Sequence, residues 1–303
     1  MAKICVAGSL NMDLCVGTSR VPVMGETIIG GGFFTSPGSK GANQCVAAAK
    51  LGADVTMLGC VGGDAFGTQL VENLRRYGVN VEHVRVVEDA PTGVAVILLK
   101  DGDNCIIVDP GANAAFLPLD IEKLEGVIAS GDALVLQLEI PIETARRAME
   151  IARAHGVPVL LNPAPAQKLP ADFLALADVL IPNESECEIL TGLPCSNAEQ
   201  AEQAAQALLA LGVPRTVITR GGSGVTYSSG DAMVHKPARS PYVVDTTAAG
   251  DSFVGGLAVS LANGEAFHDA IDFAVSVAAL TVTRRGAQES LPSLEDVKKF
   301  IGD

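Results

Sequence analysis

Two spacings of apolar residues alternate along the chain. Compact apolar runs recur at Lys3 to Ser9, Val55 to Val61, Ala133 to Leu138, Val157 to Leu161, Val179 to Pro182 and Thr216 to Thr219, the pattern of strands buried on both faces. Between them lie stretches with helical spacing: Phe66, Leu70 and Leu74 at every fourth position, Ala145 to His155, and Ala198 to Leu211. The last third reads as helical at Ser252 to Ala262, Ala266 to Thr283 and Leu294 to Ile301. Strand and helix in alternation predict right-handed βαβ units, hence an α/β fold with a mostly parallel central sheet flanked by helices.

Two regions break the rhythm. Residues 14–37 are rich in glycine and β-branched residues, and residues 92–109 alternate around Asp101-Gly102-Asp103-Asn104 like a hairpin. They are expected to form one small β-sheet lid over the mouth of the main sheet; two unrelated surface hairpins are the alternative.

Composition narrows the function. At 303 residues the chain suits one large domain, and its 48% hydrophobic content with mean hydropathy +0.33 excludes disorder as the main state. Lys and Arg number 21 against 35 Asp and Glu, a net charge of −14, which disfavours nucleic acid as a partner. Any phosphate must then be held locally, by backbone amides at a helix start. The apolar runs fall short of the roughly 20 residues that span a bilayer, and Lys3 to Ala7 is too brief for a signal-peptide core; a cytoplasmic protein is expected, without a membrane partner. Seven cysteines, an odd number with no C-x-x-C pair, read as reduced core residues. The four histidines lack metal-ligand spacing.

Neither G-x-x-x-x-G-K-[ST] nor a strand-following G-x-G-x-x-G is present. The strongest local signal is Val244-Asp245-Thr246-Thr247-Ala248-Ala249-Gly250-Asp251-Ser252-Phe253. Small side chains at Ala248, Ala249 and Gly250 let the free N–H groups of a helix start approach a phosphate. Asp251 beside such a site suggests a base for an attacking hydroxyl, although an acid in the first turn also simply favours a helix. Gly38-Ser39-Lys40-Gly41-Ala42-Asn43-Gln44 enters a helix carrying groups suited to a polyol, or forms a surface turn. Asn11-Met12-Asp13 follows the first strand at its carboxyl end, where open α/β sheets bind ligands. Asn183 to Glu186 could hold hydrated Mg²⁺ near a phosphate, and Thr219-Arg220-Gly221-Gly222-Ser223-Gly224 could pass close to a nucleotide.

Together with Asn162-Pro163-Ala164-Pro165-Ala166 and Thr283 to Gln288, these motifs give the whole chain a resemblance to the ribokinase-like (phosphofructokinase-B type) sugar kinases. The resemblance implies a nine-or-so-stranded sheet, a lid that doubles as the interface of a homodimer, and ATP-dependent phosphorylation of a sugar's terminal hydroxymethyl group. D-Ribose is the expected acceptor. Deoxyribose, another furanose or a nucleoside is the alternative, and a non-catalytic sugar sensor is a reading of a different class. With no Trp and 4% aromatic residues, a platform for a nucleoside base is hard to find.

By position, the resemblance makes Asp251 the base and Ala248, Ala249 and Gly250 the anion hole. Asn11, Asp13, Ser39, Lys40, Gly41, Asn43 and Glu139 would line the sugar pocket. Asn183, Thr219, Gly221, Gly222, Ser223, Gly224 and Val275 would contact ATP, with Glu186 acting on Mg²⁺ through water. An activating K⁺ would lie among Asp245, Thr247, Thr281, Arg284, Gly286 and Ser290, several of them through carbonyls. Two departures stand out: Ser252-Phe253-Val254-Gly255 follows Asp251 where the family has a second Thr- or Asn-rich stretch, and the family usually has Gly in place of Ser39. The Ser39 hydroxyl is therefore expected to narrow the sugar pocket and to add a small part of a preference for ribose over 2-deoxyribose.

Overall fold

The computed structural model describes residues 1–100, 103–230, 232–239 and 242–302. Six parallel strands form the central sheet in the order Val179–Leu180, Val159–Leu161, Ala133–Leu136, Lys3–Ala7, Asp54–Gly62, Asn80–Val87. Single parallel bridges, Leu180 to Thr216 and Asn183 to Thr219, carry the sheet on into the antiparallel strands Val217–Thr219, Val225–Ser229 and Ala232–Lys236.

Period-two alternation decides which residues feed which face. On the first strand Ile4 and Val6 join one core with the helices Lys40–Lys50, Ala249–Ala262 and Phe267–Thr281, while Cys5 and Ala7 join a second core with Ile142–Ala154 and Ala198–Ala210. Val135 and Leu136 divide the same way. The expected flanked α/β sheet is thus present, with helix limits shifted by a few residues: the helix expected over Ala266 to Thr283 runs Phe267–Thr281, and that expected from Ser252 starts at Ala249. All seven cysteines are free, and six are buried. No helix among the described residues is long and apolar enough to cross a membrane.

The two irregular regions meet in one four-stranded sheet, in the order Gly31–Gly38, Asn11–Gly17, Gly93–Lys100, Asp103–Asp109. Parallel pairing from Asn11 with Gly93 to Gly17 with Leu99 joins them, so they are not separate hairpins. The turn expected at Asp101-Gly102 lies outside the described residues, although Lys100 and Asp103 on either side are paired. Of the apolar residues in these regions, Val21 and Ile29 on the connecting loop and Ile107 on the sheet are exposed, but Val94 packs against the core. Phe33, Phe34 and Ile106 are exposed as well.

One helix contact sets the geometry of the crevice above the sheet. A Cβ at Gly255 would lie 2.6 Å from the Ala47 Cβ and 3.2 Å from the Ala48 amide nitrogen, so only a glycine lets Ala249–Ala262 lie this close to Lys40–Lys50. Gly255→Val should force the two helices apart, lowering the unfolding free energy by about 1 to 3 kcal/mol. Urea denaturation checks it, and an unchanged midpoint would show that the contact is not limiting.

Candidate active site

Chemistry-bearing residues follow the carboxyl ends of the parallel strands: Ser9, Gln137 and Glu139, Asn162, Asn183, and Gly221. Backbone there is released from the ladder and faces the crevice. Two helices start in the same crevice, Lys40–Lys50 capped by Ser39 and Ala249–Ala262 capped by Ala248. Among the described residues these caps are the two non-glycine positions with left-handed φ, +81° at Ser39 and +59° at Ala248. Each carries strain of the kind found where surrounding structure over-determines the backbone.

Asp251 stands in the first turn of the second helix and is 8% exposed. Its carboxylate does not cap its own helix. Asn43 Nδ2 donates to Oδ2 at 2.9 Å and Gln44 Nε2 to Oδ1 at 3.1 Å. Burial pushes the Asp251 carboxyl up, while Lys40 and these two amides act in the opposite sense. Around Lys40 gather Asp251, Glu139 and Glu186, whose charges favour the ammonium against the burial that opposes it.

Two cavities adjoin at the helix start before Asp251. The smaller, about 240 Å³, is lined by Lys40, Asn162, Glu186, Ala248 and Gly250 as well as Asp251 itself. The larger, about 540 Å³, has Gly221, Gly222, Gly224, Val275, Phe253 and Arg239 in its wall. Asn183, Thr219, Thr246, Ala249 and Gly250 border both. The volume and largely apolar wall of the larger cavity suit a small organic ligand, whereas the smaller one is walled mainly by polar groups. Ala249 gives its N–H to the Thr246 carbonyl at 3.2 Å and Ser252 its N–H to the Ala248 carbonyl, which leaves the Gly250 and Asp251 N–H groups of this first turn without an acceptor in the helix.

The remaining sugar-pocket candidates cluster beyond Lys40. Ser9 Oγ donates to Glu139, which also accepts the Lys40 N–H at 3.2 Å, and the Gly41 N–H reaches Ser9 Oγ at 3.4 Å. Asn11 Oδ1 accepts from Asn113 Nδ2 at 2.7 Å, and a Cβ at Gly38 would strike the Asp13 carboxylate. Ser39 departs from expectation. Its hydroxyl donates to the Ser9 carbonyl at 2.7 Å and accepts the Ala42 N–H at 3.4 Å, so it caps the helix instead of adding a group to the pocket. Ser223 departs too: it is exposed on the turn Gly221–Ser223 and outside the wall of the larger cavity.

Of the expected cation residues, Thr247 and Gly286 meet Asp245 directly. Its carboxylate accepts from Thr247 N at 2.9 Å, Thr247 Oγ1 at 2.7 Å and Gly286 N at 3.0 Å. Burial alone would raise this carboxyl, but those donors and Arg285 hold it below its ordinary range. Thr281 and Ser290 turn their hydroxyls onto the carbonyls of Val277 and Ala287, and Arg284 pairs with Asp296. Among the described residues no three acids, histidines or cysteines form a metal-holding group; Glu186, which also accepts the Asn183 N–H at 2.8 Å, supplies a single carboxylate, as suits an Mg²⁺ carried mainly by phosphates and water.

The motifs gave no site role to Gln137, Asn162 or Gln288, and placed Gln44 only within the polyol-suited run. Gln44 Oε1 accepts from Gln137 Nε2, and Gln44 Nε2 reaches Asn162 Oδ1 at 3.3 Å. A glutamine inside the apolar run Ala133 to Leu138 was the available signal.

This arrangement coincides with a family. Residues 1–294 match the model of the pfkB family carbohydrate kinases. The chain belongs to that family. A protein of Schizosaccharomyces pombe named ribokinase is 44% identical over 98% of this chain and 97% of its own length, and a deoxyribokinase of Salmonella typhi is 38% identical over 98% of each. The structure of Arabidopsis thaliana ribokinase complexed with ribose and ATP superimposes with a TM-score of 0.92 at 34% identity, covering 100% of both chains. This pfkB kinase is accordingly a phosphotransferase with an alcohol acceptor.

Asp13 provides a pH test of the polar cluster. Burial, then the charges of Glu139 and Asp251, push its carboxyl up to about 7. The folded protein thus holds this proton more tightly than the unfolded chain does, so the unfavourable contribution is absent at pH 4 and complete once the pH passes about 7. Between pH 5 and pH 8 the parent should lose about 1 to 3 kcal/mol of stability relative to Asp13→Asn, measured by urea denaturation at both values. Parallel pH dependence in the two proteins would remove Asp13 from the charged cluster.

Proposed function

We propose that this protein transfers the γ-phosphoryl group of ATP to the terminal hydroxymethyl of D-ribose, giving ribose 5-phosphate. The observation that carries the reading is the buried Asp251 carboxylate, pinned by Asn43 and Gln44 in the wall of the smaller cavity, which shares the helix start at Ala249 and Gly250 with the larger one, and close in charge to Asp13 and Glu139. The ribose and ATP of the Arabidopsis relative support it.

In this reading Asp251 takes the proton of the attacking hydroxyl as the new oxygen–phosphorus bond forms and the bond to the ADP oxygen breaks. The Gly250 N–H and the helix start, with Ala248 and Ala249 shaping the approach, hold charge on the transferring group. Lys40 balances the acids around it. Asn183, Thr219, Gly221, Gly222, Gly224 and Val275 would cradle the nucleotide. Bound Mg²⁺ would neutralise phosphate charge, with Glu186 as its protein partner, and K⁺ would sit near Asp245.

Deoxyribose is the second reading, favoured by the Salmonella deoxyribokinase. The polar set Asn11, Asp13 and Asn43 favours ribose, because a buried polar group left unpaired by a missing hydroxyl costs about 1 to 3 kcal/mol. The exposed Phe33, Phe34, Ile106 and Ile107 of the four-stranded sheet support that sheet as a lid and as a homodimer interface. Free cysteines throughout support the reducing cytoplasm as the compartment.

Asp251→Asn should lower turnover by about 10²- to 10⁴-fold while calorimetry still detects sugar binding. In the parent, kcat/KM for ribose should exceed that for 2-deoxyribose by about tenfold or more. A preference for 2-deoxyribose would transfer the assignment to that sugar, and full turnover in Asp251→Asn would remove the base. Activity should also rise with K⁺ far more than with Na⁺, a response that Asp245→Ala should blunt; equal rates in K⁺-free buffer would dismiss the ion.

A further inference from the structure

Asn43, one of the two amides that reach Asp251, is itself held from behind. Gln288, 3% exposed on the segment after Gly286, donates Nε2 to Asn43 Oδ1 at 3.2 Å. Asn73, half-buried on the helix Ala65–Arg76, donates Nδ2 to Gln288 Oε1 at 2.5 Å. Lys50 Nζ fixes the Gln288 main chain through its carbonyl at 3.4 Å. Three amides thus run head to tail from a half-buried helix face to the carboxylate.

The direction of this chain follows from chemistry. An ionised carboxylate only accepts, so Asn43 must present Nδ2 to Asp251. Its Oδ1 then faces Gln288, which must donate in turn, and the Gln288 oxygen is left to accept from Asn73. An amide has one donor end and one acceptor end, so turning any member reverses those beyond it. We propose that Gln288 and Asn73 are positioning residues for Asp251, keeping the Asn43 amide turned so that its N–H groups, and never its oxygen, meet the carboxylate. Neither lines the two cavities, and neither has a role in the reaction other than through Asn43.

Coupling of this kind is reciprocal. If the ionised carboxylate sets the direction of the chain, then reversing the far end must favour the protonated acid. An acceptor at position 73 would draw the Gln288 amide nitrogen toward it, leave the Gln288 oxygen facing Asn43, and turn the Asn43 oxygen onto Asp251. Two acceptors in contact are relieved when Asp251 holds a proton. The charged groups already bearing on Asp251 are Lys40 on the same helix as Asn43 and Glu139 beyond the strand Ala133–Leu136, with Asp13 on the lid strand and Glu186 on the helix Glu184–Thr191 also coupled to it. Lys50 and Glu289 flank Gln288. Substitutions at positions 69, 73 and 288 leave all of these groups in place.

The inference rests on the reading of Asp251 as the base only for its kinetic consequence, so its test reads the carboxyl directly. The full-length protein with ¹³C-labelled aspartate carboxyls is titrated by NMR, with Asp251→Asn assigning the resonance. In Asn73→Asp the Asp251 midpoint should rise by about 0.5 to 1 pH unit, and the acid limb of kcat should move the same way. Gln69→Asp, one turn away on the same helix and exposed, adds the same charge without touching Gln288 and should leave the midpoint in place. Gln288→Met, which removes the donor to Asn43, should raise it by a smaller amount and carries the test if Asn73→Asp does not fold. An unmoved Asp251 midpoint in the folded variants, or an equal rise in Gln69→Asp, overturns the proposal. Full turnover in Asp251→Asn with the midpoint still responding to Asn73→Asp would instead sink the assignment of the base and leave this coupling standing.

Discussion

Withdrawing the Asp251 carboxylate from water is the constraint around which the rest of the site is arranged. An ion of that size loses several kcal/mol of solvation even after the protein relaxes, and the loss is offset only by donors already in place. Here two consecutive amides, Asn43 and Gln44, supply them from one helix turn. Consecutive residues diverge by about 100° around a helix, so both can meet one carboxylate only where it sits close against the axis, which the bare Gly255 contact permits. The strained caps Ser39 and Ala248 then mark where each helix enters the crevice.

The same carboxylate divides the crevice by polarity. Toward Asn11, Asp13 and Glu139 the groups are mostly acids and amides, and burial, reinforced by the charges of Glu139 and Asp251, explains why Asp13 ionises late. Toward Val275, Phe253 and Val225 the wall is largely apolar, with Asn183, Glu184, Ser185, Thr219, Arg239 and Thr246 as its polar side chains. A protein with a net charge of −14 has no broad positive field for a polyphosphate. In the proposed reading Lys40, Arg239 and one helix start would supply local attraction instead, in a place where low dielectric strengthens it. Closing such a place to water would give a physical reason for the four-stranded sheet to act as a lid.

Much of this was legible in order along the chain. Strand and helix alternation, the run Asp245 to Phe253, and the turn Gly38 to Gln44 each depend on neighbours a few residues away, and each fell where its pattern pointed. The pairing of Asn11–Gly17 with Gly93–Lys100 did not follow from either segment alone. Ser39 shows how a motif can mislead: an added hydroxyl at a ligand-binding turn suggested a ligand contact, but a left-handed cap with a carbonyl at 2.7 Å claimed it first.

Periodicity and turn chemistry by themselves determined the layered α/β architecture, the buried cysteines and the identity of the acid at the helix start, because burial and backbone preference act over a few residues. Tertiary structure alone decided what that acid touches. Asn43 and Asp251 are 208 residues apart, Asn43 and Gln288 are 245 apart, and Asn73 and Gln288 are 215 apart. No local pattern encodes the direction of an amide. That direction is fixed only when folding removes water and leaves each donor a single acceptor to meet.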